Sequence, residues 1–152
     1  MTDPLTFTSA TPRHALPTLF AGQAQKEFTV NEALARLDAL THPCVEGEAA
    51  MPPTSPSPGE SWLVAEGGSG AWSAQDGKLA SFTGGAWIFS APTPGMLVFD
   101  RQAGVRAVYD GEWRRSAAIG APSGGATVDS EARAAIAGLI DALVIAGIVP
   151  QG

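Results

Sequence analysis

Gly77-Lys78-Leu79-Ala80-Ser81-Phe82-Thr83-Gly84-Gly85-Ala86-Trp87 reads as a complete β-hairpin. A strand leads up to Phe82, Gly84-Gly85 supplies the positive φ angles that a tight turn demands, and the return strand brings Trp87 back beside the ring. The pattern recurs downstream. Gly104-Val105-Arg106-Ala107-Val108-Tyr109-Asp110-Gly111-Glu112-Trp113 matches the first copy at its Gly, Ala, aromatic and Trp positions, with one residue fewer in the turn. A repeated hairpin unit predicts a small antiparallel sheet or partly open barrel. The runs Trp62-Leu63-Val64 and Leu97-Val98-Phe99 and the turn Asp76-Gly77 extend it to an antiparallel β domain over residues 60–115, in which Trp62 and Trp72 join Trp87 and Trp113.

Upstream of this domain, Pro52-Pro53-Thr54-Ser55-Pro56-Ser57-Pro58-Gly59 cannot sustain a hydrogen-bond ladder, so residues 43–59 read as a proline-rich connector. A helix precedes it over residues 29–42. Thr29 is placed as its N-cap with Glu32 three residues on, a capping box, and Ala33, Leu34, Leu37 and Leu40 follow at helical spacing. The helix ends at Thr41-His42-Pro43, because proline disfavours helical geometry in the residue before it. Residues 1–28 then form an extended arm that orders against a partner. Within the arm, Leu16, Leu19, Phe20, Gln23, Gln25 and Lys26 are the candidate docking residues. The segment serves either as a capped connector or as a recognition element whose amides bond a partner's backbone.

Downstream, residues 116–128 are a tether rich in Gly, Ala, Pro and Ser, and residues 129–147 a final helix. Asp129 caps it, Glu131 favours its positive end, and Gly147 stops it before Pro150. Ile136, Leu139, Ile140, Leu143 and Val144 make it too apolar to stand alone in water. Burial of five aliphatic side chains contributes roughly 1.5–3 kcal/mol each before entropy is counted. The helix is therefore expected to dock on its own domain or to associate with its copies, and the fold class is α+β.

The chain has 152 residues and a formal charge of −6, enough for one modest globular domain with appendages. The acidic balance excludes nucleic acid and anionic membranes as natural partners, because phosphate binding needs clustered Lys and Arg and only Arg114-Arg115 are adjacent. No basic stretch followed by an apolar run marks a leader near the N-terminus, so synthesis in the cytosol is expected. The apolar run Ala142–Val149 is too short for membrane insertion. Cys44 is the only cysteine, which excludes an intrachain disulfide, and with His14 and His42 alone it cannot assemble a zinc site.

Catalytic signatures are missing by the same inspection. Gly67-Gly68-Ser69-Gly70 lacks the Lys-Ser/Thr ending of a phosphate loop, and neither histidine accompanies a nucleophile elbow. Glu46 with Glu48, or Asp100 with Asp110, are acid pairs without a surrounding aromatic cleft. The expectation is a protein that is not an enzyme, with no catalytic residues, no metal and no cofactor. Trp72, Trp87 and Trp113 allow two readings, a packed core or indole faces that stack on sugar rings.

Leu16-Pro17 through Gln23-Ala24-Gln25-Lys26, Val30-Asn31-Glu32-Ala33-Leu34-Ala35-Arg36-Leu37-Asp38, Pro53 to Gly59 before Trp62, Gly70-Ala71-Trp72 and Gly85-Ala86-Trp87 together carry a resemblance. The chain resembles, over residues 12–113, an uncharacterised domain family encoded in tailed-phage, prophage and gene-transfer-agent loci of alphaproteobacteria. The resemblance implies a virion component of a fibre, spike (a head spike included) or related host-contact appendage, on head or tail, assembled with other virion structural proteins for host attachment. It makes host surface polysaccharide the sugar partner open to the tryptophans. By analogy with the helices that close fibre subunits, it also implies a homo-oligomer, with a trimer favoured.

Overall fold

The computed structural model describes residues 9–19, 22, 26–125 and 129–152. Its elements run α1 (Lys26–Leu40), β1 (Cys44–Val45), β2 (Glu48–Ala49), β3 (Ser61–Val64), β4 (Leu79–Thr83), β5 (Ala86–Ser90), β6 (Leu97–Asp100), β7 (Val105–Tyr109), β8 (Trp113–Arg115) and α2 (Ser130–Ile145). A 3-10 turn at Gly70–Trp72 interrupts the path from β3 to β4. The fold is α+β.

The strands form two four-stranded sheets, in the orders β2-β3-β4-β5 and β1-β6-β7-β8. Each is an antiparallel meander of three strands with a two-residue strand added in parallel at one edge. The hairpin repeat is therefore one part of a longer repetition of strand plan. In the first hairpin Phe82 stands opposite Trp87 with ring centroids 5.1 Å apart, and in the second Tyr109 stands opposite Trp113 at 5.2 Å. Such cross-strand aromatic pairs fix the register of a two-strand unit.

Residues 60–115 differ from the expected single β domain. The chain divides into two compact units, one of Met1–Pro43 with Glu48–Ala91 and the other of Cys44–Gly47 with Pro92–Gly152. The break falls at Ala91-Pro92-Thr93-Pro94-Gly95, where two prolines remove backbone donors, and β5 and β6 end up in different sheets. The connector also does more than separate, because its residues 44–45 and 48–49 give each sheet its edge strand.

The first unit buries Leu63, Val64, Trp72, Leu79 and Ala80. Trp72 arrives from the long β3–β4 connection, which Asp76 folds by accepting the amides of Gly67 at 3.2 Å and Gly68 at 2.8 Å. A Cβ at Gly68 would lie 2.6 Å from the Trp72 carbonyl oxygen, so the loop closes this tightly only around glycine. Across β3 and β4 the buried Ser61 and Ser81 hydroxyls pair at 2.8 Å.

In the second unit β6 and β7 alternate strictly. Val98, Asp100, Val105 and Ala107 are buried, whereas Leu97, Phe99, Arg106 and Val108 are exposed. Val45 and Val149 complete this core. The buried Asp100 accepts from the Ala103 amide at 2.9 Å and from Arg115 Nε at 2.7 Å, so one carboxylate holds the β6–β7 turn and reaches β8.

Helix α1 starts at Lys26, ahead of the expected Thr29, which lies inside its first turn. Glu32 bonds Arg36 one turn on, at 2.8 Å, in place of the expected capping box. Glu27 receives the Gly22 amide at 3.1 Å, so an acid in the first turn accepts from the chain ahead of the helix. The C-terminal end follows expectation: Thr41 N–H closes on the Leu37 carbonyl at 2.8 Å, and His42 turns left-handed at φ 47° before Pro43.

Helix α2 carries the cap and stop read from the sequence. Asp129 accepts the Ala132 amide at 2.9 Å. Ile148 N–H reaches the Leu143 carbonyl and Gly147 N–H the Val144 carbonyl, both at 2.9 Å, with Gly147 at φ +65°, a Schellman closure. Gly147 also lies against Phe99, whose ring would be 3.1 Å from an added Cβ. Gly147→Ala is accordingly expected to cost about 1–2 kcal/mol for the left-handed backbone alone, read as a lower Tm in thermal unfolding followed by circular dichroism.

Candidate interaction surfaces

The expected docking arm is, over residues 9–19, folded onto its own helix. Ala10 and Pro17 bridge, Thr11 N–H donates to the Leu16 carbonyl at 2.9 Å, and Leu16 N–H donates to Thr11 Oγ1 at 3.0 Å. The loop so formed is clipped by Asp38, which is only 2% exposed. Asp38 Oδ1 accepts from Thr11 Oγ1 at 2.8 Å and from His14 N–H at 2.6 Å, and Oδ2 from Arg13 N–H at 2.9 Å.

Arg13 then covers the end of α1. Its guanidinium donates to the carbonyls of Asp38 at 3.0 Å, Ala39 at 2.9 Å and His42 at 2.8 Å, and His14 Nε2 lies 3.0 Å from the Thr41 carbonyl. The helix has no basic residue in its last turn, so the arm supplies the positive charge that the C-terminal dipole favours. Further along, Leu19 exchanges two hydrogen bonds with the Asn31 amide, at 2.8 and 3.0 Å. The extended, partner-awaiting arm is thus corrected for residues 9–19: buried acceptors on α1 satisfy its backbone internally.

Of the six docking candidates, Leu16 and Leu19 are half-buried in this loop and Lys26 is exposed at the start of α1. Phe20, Gln23 and Gln25 lie outside the described residues. Asp38 was not singled out from the sequence, although a signal existed. An acid in the last turn of a helix opposes the macrodipole and calls for donors from elsewhere.

The tryptophans divide between the units. Trp72 is fully enclosed, edge-on to Trp87 at 5.1 Å and 83° and tilted against Trp62 at 6.4 Å. Its Nε1 is buried and finds no hydrogen-bond acceptor among the described residues. As a sugar-stacking residue Trp72 is therefore corrected: its faces are spent on other rings. Trp87 is half-buried between Trp72 and Phe82, and Trp113 is half-buried beside Tyr109.

Residues 30–114 match the family model described as a protein of unknown function, DUF2793. The chain belongs to the DUF2793 family. No curated protein matches the chain. The DUF2793 match opens inside α1 and closes in β8, so it takes in Asp38, both aromatic hairpins and both edge strands, while the clipped loop and α2 lie outside it.

Within the DUF2793 span, the one cysteine meets an arginine. Arg101 Nε donates to Cys44 Sγ at 3.1 Å, and its Nη1 lies 3.2 Å from Glu46. The hydrogen bond to Cys44, electrostatic attraction toward Cys44 and then toward Glu46 hold the guanidinium above its ordinary range. Among the described residues, no group of three or more His, Cys, Asp or Glu is gathered for a metal ion.

Beyond the DUF2793 span, α2 has no buried residue in its 16 positions. Ile136 and Leu139 are 40% and 65% exposed, and Ile140, Leu143 and Val144 are half-buried. Ile145, absent from the sequence-based set, is 88% exposed. Ala135, Gly138, Leu139 and Ala142 are all exposed at i, i+3, i+4, i+7 spacing, so the uncovered side of α2 is offset from the stripe expected. No helix among the described residues is long and apolar enough to cross a membrane.

Proposed function

We propose that this chain is a structural subunit of a phage-like particle or gene transfer agent. It forms part of a fibre or spike appendage that is anchored on the particle and used for host-surface contact. The observation that carries this reading is α2: a capped, stopped helix with no buried residue and with Leu139 65% and Ile145 88% exposed. Apolar surface of this kind on a helix marks an association element. Closed symmetry among identical copies is the economical way to cover it, and the trimer is the favoured closure. The likeness of the helical opening and Trp-bearing hairpins to particle-encoded domains supplies the setting.

Sedimentation equilibrium of the full chain tests the proposal. A concentration-dependent trimer is expected, and Ile136→Glu with Leu139→Glu is expected to shift it to monomer with an unchanged circular dichroism spectrum. A wild-type chain that stays monomeric across the micromolar range overturns the self-association on which the reading rests.

A further inference from the structure

We infer that the exposed face of β6, β7 and β8 receives helix α2 of a second copy of this chain. The inference rests on the reading of α2 as a self-association element and names what that element docks into. Leu97, Val108 and Arg114 form one cross-strand row, because Leu97 pairs with Val108 and Val108 with Arg114. Leu97 and Val108 are 48% and 40% exposed, although they stand on a sheet rather than in a loop. With Ile148, 44% exposed, they line a groove of about 350 Å³ that Arg106 and Arg114 also line.

Three arginines line this apolar groove; Arg114 lies 3.2 Å from Glu112 and Arg115 is bonded to Asp100, so the excess positive charge at Arg106 and Arg114 selects an apolar ligand that carries negative charge. Helix α2 has that composition. Asp141 and Ile145 are exposed one turn apart on one face, and Glu131 lies in the first turn. The rest of the chain favours the same pairing, because a net charge of −6 makes copies repel one another unless a local basic site receives an acidic one.

The helix of the same copy ends at the rim of this groove and does not cover it. Gly147, just past its end, accepts the Arg106 backbone amide at 2.8 Å, and Ile148 accepts from the Ser116 hydroxyl. With its C-terminal turn fixed there, α2 still leaves Leu139, Asp141 and Ile145 exposed. The contact is therefore head-to-tail, helix of one copy on the sheet face of the next, and such a contact closes into a ring when the rotation permits. A ring of three agrees with the trimer proposed above.

The experiment is sedimentation equilibrium of three full-length variants beside the wild type: Arg106→Glu with Arg114→Glu, Asp141→Arg, and all three changes together. Each charge reversal alone is expected to weaken association by about tenfold or more, and the combined variant to recover most of the loss. All three positions are exposed, and unchanged thermal unfolding confirms that each variant folds. Losses that simply add in the combined variant overturn the pairing. Association unaffected by the arginine reversals but abolished by Ile136→Glu with Leu139→Glu overturns this groove while leaving α2 as the association element. A monomeric wild type removes both.

Discussion

Trp72→Ala is expected to destabilise the first unit by roughly 3–5 kcal/mol, the range for deleting a large aromatic side chain from a packed core. That is a large share of the total stability of an ordinary domain, about 5–15 kcal/mol. The ring is fully enclosed, and Trp62 and Trp87 both lean on it. Few large aliphatic side chains are present nearby to collapse into the space, because the buried cluster around Trp72 consists of Val64 and Ala80. Trp72→Phe is expected to cost clearly less. It keeps an aromatic edge against Trp87 and removes an indole N–H that is buried without an acceptor among the described residues. Urea unfolding followed by circular dichroism separates the two variants. Equal losses would mean that the indole N–H has a partner that this geometry does not give it, and a loss under about 1 kcal/mol for alanine would mean that Trp72 is not the centre of this core.

The strands were legible because their turns are local. Asp76-Gly77, Gly84-Gly85 and Asp110-Gly111 each announce a reversal, and the aromatic residues at fixed offsets from the last two turned out to be cross-strand partners. The same holds for α2, whose cap and stop are written within a few residues of its ends. What escaped was non-local. β1 and β2 are two residues each, too short for any periodicity, and exist only because β6 and β3 offer them an edge. Their pairing also explains why a stretch read as connector belongs to both units. The division into two units follows from the prolines at 92 and 94, residues visible in the sequence but not decisive until the strand order is known. Charge pairing across distance was equally hidden, since nothing near Asp100 in the sequence points to Arg115.

The two sheets share one plan, and their difference is instructive. Between β3 and β4 the chain spends Ala65–Lys78, and between β6 and β7 only Arg101–Gly104. The longer connection carries Trp72 into its core, and the shorter one is a tight turn held by Asp100. The first sheet thus gains an aromatic centre from its own loop. The second fills its core with small valines and draws Val149 from beyond α2. It consequently leaves Leu97 and Val108 exposed on its other face, which is where an intermolecular contact has most to gain.

Asp38→Ala is expected to release the N-terminal loop while leaving the second sheet intact. Its two oxygens accept from Thr11 Oγ1 and from the amides of Arg13 and His14, and each donor left without an acceptor in a buried site costs about 1–3 kcal/mol. Arg13 and His14 are partly accessible, so water recovers some of this, and a net loss of about 3 kcal/mol is the expectation. Asp38→Asn keeps one acceptor oxygen and offers an NH2 where the other stood, so it should fall between wild type and alanine. Hydrogen exchange reads the outcome residue by residue. The Arg13 and His14 amides should lose protection in Asp38→Ala, and trypsin should cut after Arg13, whose guanidinium is otherwise occupied by three carbonyls at the end of α1. Protection at Thr11, Arg13 and His14 that survives the substitution would show that the loop is held by Arg13 and Asn31 without the carboxylate. If the loop does open, the same variant exposes the last carbonyls of α1, and α1 should fray from its C-terminal end before the strands respond.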